Sequence, residues 1–255
     1  LLNDTDGSTQ VPWFFSANHC MDNESAPFKT PAQMQSLANT LDTLWFFESS
    51  SCNSGTPGAA YRELPSGATY IYNNPSSDVL LLRLNGTPPA GAFFAGWDAN
   101  PISPGTSVVD AHHPQGDLKK VSQGSVVGFS TPSVAPESSA VNQFIAIRWS
   151  SGTTEPGSSG SAIFTSNGSQ YSLRGALWGG GASCSTPTSP DLFSRFDLAY
   201  PSLAAYLAPS NVPAFDVTDL WWNPNESGWG LNLVEHASHV VFALWYTYDA
   251  NGQRT

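Results

Sequence analysis

Short apolar segments separated by Gly, Ser, Pro and Asn residues make up most of the chain. Residues 11–15, 43–47, 59–64 and 69–72 are each rich in aromatic, aliphatic or β-branched side chains. Residues 77–84 end in a nearly continuous run of leucines. Runs of this length, bounded by turn-forming residues, are typical of β-strands. The pattern therefore predicts a protein built largely of short strands.

One segment shows helical periodicity instead. Residues 29–41 begin with Thr30, Pro31 and Gln33, which fit a capping box with proline in the first turn. Apolar side chains then recur at i, i+3, i+4 and i+7, which places them on one helical face. We interpret this stripe as core packing; its members are Met34, Leu37, Ala38 and Leu41.

Composition supports a β-rich domain and narrows the partners. The 255 residues suffice for one large domain, or for one domain with an appendage. Only 11% of residues are charged and 40% are hydrophobic, with 9 Trp and 14 Phe available for a core. The net charge of −11 argues against nucleic acid or an anionic membrane as a partner. No segment approaches the ~20 apolar residues of a membrane span, and no signal peptide is present, so a secreted protein would be a processed form.

Residues 152–164 read GTTEPGSSGSAIF and contain a candidate nucleophile, Ser159. A nucleophilic serine needs a tight turn, with backbone N–H groups beside it that point at the developing oxyanion. The small residues around Ser159 permit such a turn, and the apolar residues 162–164 predict a buried strand that holds it. The alternative is a surface loop rich in Gly and Ser.

Two further residues have the character of catalytic partners. The apolar segment 11–15 runs into residues 16–20, where His19 directly precedes Cys20, and Asp78 enters the run of residues 79–84, which is mostly leucine. Burying a carboxylate is costly unless it has a partner, which an imidazole N–H would supply. The alternatives are a structural histidine and a strand-start aspartate that faces water. The order His, Asp, Ser along the chain is that of chymotrypsin-like proteases.

Several segments together resemble the lysyl endopeptidase group of bacterial secreted serine proteases, over residues 1–208. The matching segments are SANHC (16–20), SSDVLLLRL (76–84), FFAGWD (93–98), AHHP (111–114), GTTEPGSSGSAIF (152–164), LWGG (177–180), SCS (183–185) and DLFSR (191–195). The resemblance implies an all-β fold of two six-stranded antiparallel β-barrels, trypsin-like, with a short C-terminal helix. It also implies a secreted serine endopeptidase that acts through an acyl-enzyme.

Catalytic roles follow from the same resemblance. His19 would be the general base and then the acid, Asp78 would orient His19, and Ser159 would be the nucleophile. The backbone N–H groups of Gly157 and Ser159 would form the oxyanion hole. A catalytically silent, protease-like binding protein is the alternative from another class; such proteins usually lose a triad member, whereas all three are present here.

Substrate-binding roles are implied as well. Trp178 and Gly179 would lie on the strand that pairs with the substrate backbone. Asp191 matches the carboxylate at the base of the primary specificity pocket, which would select lysine, with arginine as a second cationic residue. Another primary specificity, such as glutamate, is the alternative.

The chain departs from related patterns at two places. Ser158 stands where many chymotrypsin-like proteases carry an aspartate that pairs with a freed N-terminal amine. The resemblance also implies a strand and a cysteine ahead of residues 1–4, and that cysteine would pair with Cys184. The positions of Cys20 and Cys52 predict a disulfide bridge that closes a loop of about 30 residues and stabilises the chain by roughly 3–4 kcal/mol.

No cofactor or metal is expected. His112 and His113 precede Pro114, but no Cys or carboxylate cluster with ligand spacing surrounds them. His236 and His239 would face opposite sides of a strand.

The composition changes after residue 208. Residues 211–213 read as a linker, and residues 216–255 resemble a tryptophan-rich β module appended to various secreted bacterial proteins. Residues 228–233 and 240–245 predict the two strands of a hairpin. Two strands alone are marginal in water, so the module of residues 209–255 is expected to pack on the protease or on further residues. Its aromatic side chains form either a small core or a carbohydrate-binding surface.

Overall fold

A computed structural model describes residues 1–6, 9–22, 26–52, 54–131, 142–209, 219–221, 229–235 and 241–247. The chain forms two compact units, Leu1–Leu207 and Ala208–Thr255. The helices are α1 (Pro31–Ala38) and α2 (Phe196–Leu207). The strands of the first unit are β1 (Trp13–Ser16), β2 (Thr43–Trp45), β3 (Arg62–Leu64), β4 (Ala68–Asn74), β5 (Val79–Leu84), β6 (Gly96–Trp97), β7 (Ser107–His112), β8 (Lys120–Ser130), β9 (Phe144–Ser151), β10 (Ala162–Ser166), β11 (Tyr171–Gly180) and β12 (Asp191–Ser194). The second unit contributes β13 (Asp219–Trp221), β14 (Trp229–Glu235) and β15 (Val241–Thr247).

Six antiparallel strands close into a barrel in the C-terminal half of the first unit. They follow the order β10, β7, β8, β9, β12 and β11, and β11 pairs with β10 to complete the circle. Inward-facing side chains alternate with outward-facing ones along each strand of a barrel. On β9 the inward set is Ile145, Ile147 and Trp149, which pack in one cluster with Ile163 and Phe193.

The N-terminal half is not a second closed barrel in the described part of the chain. Its strands form a three-stranded sheet of order β1-β5-β4 and a separate pair, β2 with β3. The pair cannot extend far, because β2 and β3 are three residues each and their pairing ends at Thr43 and Leu64. Of the two predicted barrels, the structure therefore contains one closed barrel and two small sheets.

The leucine run is explained by burial of β5 on both faces. Val79 and Leu81 pack in a cluster with Phe15 of β1. Leu80 and Leu82 point to the opposite face and pack in another cluster with α1. A strand that is covered on both sides needs apolar residues at consecutive rather than alternate positions, and β5 has them from Val79 to Leu82, before the exposed Arg83.

Both helices begin and pack for reasons visible in the sequence. The predicted capping box of α1 is present: Thr30 accepts from the Gln33 N–H, and the Gln33 side chain accepts from the Thr30 N–H. Its apolar stripe is buried at Met34 and Ala38, whereas Leu37 is 40% exposed. The buried side of α2 packs in the cluster that also holds Phe15 and Val79, and so joins the helix to the β1-β5-β4 sheet.

The second unit is a three-stranded antiparallel sheet of order β13-β14-β15. The strands predicted at residues 228–233 and 240–245 overlap β14 and β15, which pair from Trp229 with Thr247 to Glu235 with Val241. Residues 211–213, His236 and His239 lie outside the described residues. No helix in the described part of the chain is long and apolar enough to cross a membrane.

The predicted bridge between Cys20 and Cys52 is absent from the structure. Cys20, Cys52 and Cys184 are all exposed free cysteines. The Cys20 thiol lies beside Ser16, whereas Cys52 lines a different surface cavity together with Lys119. The two sulfur atoms therefore have separate surroundings, which a spacing argument along the sequence did not reveal.

Candidate active site

His19 and Asp78 are brought together by the pairing of β1 with β5. Ser16 of β1 is opposite Leu80 of β5, so the residues just beyond these strand ends are neighbours. His19 lies in a short 3₁₀ turn, Asn18–Cys20, that follows β1. Its Nδ1 atom is 2.8 Å from Asp78 Oδ2, and its backbone N–H donates to Asp78 Oδ1 over 2.8 Å. The carboxylate therefore holds the histidine by both its ring and its backbone.

The backbone of Asp78 is itself in an unusual conformation. Its φ is +55°, a left-handed value that non-glycine residues seldom adopt, and the residue is only 3% exposed. Its carbonyl oxygen accepts from the Asn18 N–H over 3.2 Å, which supports this conformation. With Nδ1 donating to the carboxylate, Nε2 of His19 is the nitrogen that accepts a proton.

Ser159 lies on a tight turn between residues 152–156, which follow β9, and the start of β10. Ser158 N–H donates to the Glu155 carbonyl over 3.0 Å, and Ser161 N–H donates to the Ser158 carbonyl over 3.0 Å. Gly157 has φ of +93°, which favours glycine there. In the described part of the chain, no hydrogen bond uses the N–H of Gly157 or Ser159.

The Ser159 turn packs against the segment that leads into His19. A Cβ atom placed on Gly160 would lie 2.3 Å from Ser16 Oγ and 3.2 Å from the Ala17 backbone nitrogen. Only glycine allows this approach without a shift of the neighbours. The barrel thus meets the β1-β5-β4 sheet one residue from Ser159 and two residues from His19.

A cavity of about 160 Å³ opens beside Ser159. Its walls include Thr154 and Glu155 on one side, Gly179 of β11, and Asp191 at the start of β12. The cavity contains the predicted specificity residue next to the predicted nucleophile. Trp178, by contrast, packs its ring against Phe144 at 5.8 Å between centroids and does not line this cavity of described residues.

Asp191 is 1% exposed and is surrounded by neutral donors. Its Oδ2 atom accepts from Trp149 Nε1 at 2.7 Å and from Thr154 Oγ1 at 2.5 Å, and its Oδ1 atom accepts from the Ala182 N–H at 3.1 Å. No Lys, Arg or His of the described chain forms an ion pair with it. These donors stabilise the carboxylate while leaving its negative charge unmatched.

Sequence reasoning did not identify the donors to Asp191. Thr154 lies within the segment that surrounds Ser159, but nothing local marks its hydroxyl as a ligand of a carboxylate 37 residues away. Trp149 is 42 residues from Asp191 and reads as a core residue of β9, which it also is. Only the closure of the barrel, which pairs β9 with β12, brings these groups together.

Other polar groups behind the turn are buried. Asp110 of β7 accepts from Ser161 Oγ over 3.0 Å, and burial raises the pKa of its carboxyl to about 7, with the charge of Asp191 adding to the rise. His112 is also buried and bonded to Ser158 and Ser122, whereas His113 bonds the Asp117 carbonyl. Within the described residues, no group of three or more His, Cys, Asp or Glu side chains could hold a metal ion.

Two solved structures resemble this one in fold. The MamO protease domain from Magnetospirillum magneticum covers 79% of this chain and 85% of its own, with a TM-score of 0.48 and 13% identity. The inactive form of the Rv3671c protease, from M. tuberculosis, covers 80% of each chain, with a TM-score of 0.47 and 17% identity. At these values the likeness carries no argument about this chain.

Sequence comparison is more specific. The lysyl endopeptidase of Pseudomonas aeruginosa is 38% identical over 201 residues, which are 77% of this chain. The chain spans 40% of the length of that relative. The family model described as the C-terminal domain of lysyl endopeptidase matches residues 1–194, which include every candidate catalytic residue. The chain therefore belongs to the lysyl endopeptidase family.

Proposed function

We propose that this chain is a secreted serine endopeptidase that hydrolyses peptide bonds after lysine. The observation that carries the proposal is the cavity shared by Ser159 and Asp191, in which a buried carboxylate lies beside a serine on a tight turn and has no cationic partner among the described residues. Membership of the lysyl endopeptidase family supports the same activity.

The proposed mechanism is acyl transfer to Ser159. Asp78 keeps the proton of His19 on Nδ1, so that Nε2 removes the proton from Ser159 Oγ as this atom attacks the carbonyl carbon. The N–H groups of Gly157 and Ser159 then donate to the oxyanion, where charge develops. His19 returns the proton to the leaving amine, and water repeats the sequence to release the acyl group.

Substrate binding uses the edge of β11. Gly179 and Gly180 pair with β12 on one side, while β11 pairs with β10 only as far as Ala176. Beyond that residue the outer edge of β11 has no strand partner among the described residues. We propose that a peptide or protein substrate adds there as an extended strand along Trp178 and Gly179.

Specificity then depends on Asp191. A lysine side chain that enters the cavity would bring its ammonium group to a carboxylate whose hydrogen-bond donors, among the described residues, are all neutral. A neutral side chain in the same place would leave that buried charge unmatched, which is unfavourable. Arginine is the second cation that this site would take.

All of the proposed chemistry lies in the first unit. The mechanism uses only side chains, backbone N–H groups and water. Carbohydrate binding by the tryptophan-rich second unit stays a prediction.

The decisive test replaces Ser159 and measures turnover of a fluorogenic lysyl peptide. Ser159→Ala should lower kcat at least ~10⁴-fold, because the covalent step is lost. Ser169→Ala, an exposed serine in the loop between β10 and β11, is the matched control and should leave kcat unchanged. A diphenyl phosphonate with a lysine-like side chain should label the wild type and the control but not Ser159→Ala.

Three results would contradict the proposal in different ways. A wild type that neither turns over peptides nor reacts with the phosphonate would be a silent binding protein. Full activity of Ser159→Ala would place the nucleophile elsewhere. A wild type that prefers glutamyl or phenylalanyl peptides would keep the mechanism and overturn the role of Asp191.

A further inference from the structure

A buried histidine bridges the two ends of the segment that precedes the nucleophile. His112, at the end of β7, is 1% exposed. Its Nδ1 atom lies 2.8 Å from Ser158 Oγ, and its Nε2 atom lies 3.0 Å from Ser122 Oγ. Ser122 Oγ in turn donates to the carbonyl oxygen of Thr153 over 3.2 Å. One imidazole thus connects residue 153 with residue 158.

The hydrogen atoms in this chain can be assigned by counting donors. Ser122 has one hydroxyl hydrogen, and its bond to Thr153 uses it. The contact between His112 and Ser122 is therefore donated by Nε2–H. Nδ1 of a neutral ring then has a lone pair, which accepts the hydroxyl hydrogen of Ser158. Every member is satisfied only while His112 is uncharged.

The environment of His112 favours this neutral form. Burial lowers the pKa of the ring, and so does the neighbouring His113. Asp191 and Glu155 are the acidic groups that act in the opposite direction, and they are the weaker influence. The hydrogen-bond pattern and the protonation state are therefore mutually consistent.

The bridged segment holds both halves of the proposed site. Thr154 donates to Asp191, and Glu155 lines the cavity. Gly157 supplies one of the two N–H groups for the oxyanion, and the carbonyl of Pro156 accepts from the Gln115 N–H over 2.7 Å. A shift of this segment would misplace the oxyanion donors before it disturbed His19 or Asp78.

We propose that the uncharged hydrogen bond between His112 and Ser158 is a positioning device for the oxyanion hole. Sequence position 158 is the one at which many chymotrypsin-like proteases carry an aspartate that pairs with a freed N-terminal amine. In this chain the residue is Ser158, and a neutral imidazole from the barrel wall fixes its hydroxyl. The oxyanion donors are thereby positioned through hydrogen bonds between uncharged groups. This inference rests on the proposed function.

The test separates transition-state binding from ground-state binding. Ser158→Ala removes the hydroxyl and should lower kcat by about 10–100-fold, a fraction of what loss of a whole oxyanion donor costs. The affinity for a lysyl peptide aldehyde, which forms an oxyanion mimic, should fall by the same factor. KM and the inhibition constant of n-butylamine, which needs only Asp191, should change less than about threefold.

Two further variants guard against a purely structural explanation. Ser158→Thr keeps the hydroxyl and should recover most of the kcat lost by Ser158→Ala. His112→Asn removes the bridge from the other end and should reproduce the kcat and aldehyde effects. Nitrogen NMR of the wild-type protein should show the Nε2–H tautomer of His112 at neutral pH. This measurement does not depend on whether the variants fold.

The outcomes are distinguishable from failure of the proposed function. If kcat falls, KM rises and butylamine affinity falls by equal factors, the bridge between His112 and Ser158 has only a structural role. A lowered Tm with unchanged kcat would lead to the same conclusion. An Nδ1–H tautomer would overturn the hydrogen-bond assignment. A wild type without turnover and without phosphonate labelling would refute the proposed function itself and the catalytic role of the bridge with it.

Discussion

The two regions that meet at the candidate site achieve rigidity by different means. His19 and Asp78 belong to an open three-stranded sheet, whereas Ser159 and Asp191 belong to a closed six-stranded barrel. In the open sheet, a single carboxylate holds the histidine at two atoms, 2.8 Å each. In the barrel, the ring of paired strands holds distant residues together, and hydrogen bonds then fix the details.

The two regions also treat a buried carboxylate differently. Both carboxylate oxygens of Asp78 accept hydrogen bonds from His19. Asp191 accepts three hydrogen bonds, all from neutral donors. The first arrangement suits a carboxylate that orients a neighbouring histidine, as Asp78 does. The second suits a carboxylate that binds a cationic side chain of the substrate, as we propose for Asp191.

The largest effect is expected in the open sheet. Asp78→Asn should lower kcat by about 10³–10⁴-fold, because the amide N–H₂ would face Nδ1 and favour the wrong tautomer of His19. KM should change little, since Asp78 does not line the cavity. Asp42→Asn, at an exposed position before β2, is the control. Steady-state kinetics with the fluorogenic lysyl peptide measure both, and a kcat loss under tenfold would refute the role of Asp78.

Replacement of Asp191 should act on selectivity instead. Removing one member of a desolvated charge pair costs roughly 2–5 kcal/mol, which corresponds to a loss of about 30-fold to several thousand-fold in kcat/KM for lysyl peptides. Asp191→Asn should affect apolar substrates far less. Glu155→Gln removes the other carboxylate of the same cavity and should have a much smaller effect, because Glu155 is half-exposed and screened.

The decisive quantity is the ratio of kcat/KM for lysyl peptides to kcat/KM for apolar peptides. Equal loss on lysyl and apolar peptides would make Asp191 a structural residue of the barrel wall. A larger loss from Glu155→Gln than from Asp191→Asn would move the cation site to the cavity mouth.

The sequence predicted what depends on neighbouring residues. The capping box of α1, the buried leucine strand and the relation of His19 to Asp78 each follow from a short run of residues or from one pair of strand ends. Contacts that form only when the barrel closes could not be predicted from the sequence. The donors Trp149 and Thr154 reach Asp191 only after β9 and β12 have paired.

The second barrel was not confirmed and the predicted disulfide was wrong, for a related reason. Whether β2 and β3 complete a barrel depends on strands distant in the chain, and spacing gives no measure of that pairing. The Cys20–Cys52 bridge was inferred from separation along the chain, although a bridge requires the two sulfur atoms to be adjacent, and both cysteines are free in the structure.

Asp110 should make the stability of the barrel depend on pH. Its pKa is about 7 in the folded chain, against an ordinary value of 3.8, and burial is the main cause. Its Oδ1 atom has no hydrogen-bond partner among the described residues. Because the folded pKa is raised, the stabilisation is complete below about pH 4 and is lost as the pH rises through 7, by at most ~4 kcal/mol.

Asp110→Asn isolates this contribution. The amide oxygen can still accept from Ser161 Oγ, while the side chain no longer ionises. Relative to the wild type, the variant should gain Tm between pH 5 and pH 8 and show little difference at pH 4. A difference in Tm that is the same at every pH would show that Asp110 titrates as an ordinary carboxyl.

The smallest effect concerns the contact between the two regions. Gly160 has φ of +79°, and an added Cβ would lie 2.3 Å from Ser16 Oγ and 3.2 Å from the Ala17 nitrogen. Gly168→Ala is the matched control, because its φ is +102° and nothing lies within 4 Å of the added carbon. Both substitutions should cost about 1–3 kcal/mol in the free energy of unfolding from backbone strain. Only Gly160→Ala should also separate Ser159 from His19 and lower kcat, by about tenfold for a displacement well under 1 Å.

Adding Ser16→Ala removes the nearest clashing atom and should restore part of that kcat but not relieve the backbone strain at residue 160. If Gly160→Ala and Gly168→Ala have equal kcat, the sheet and the barrel do not depend on this approach for catalysis.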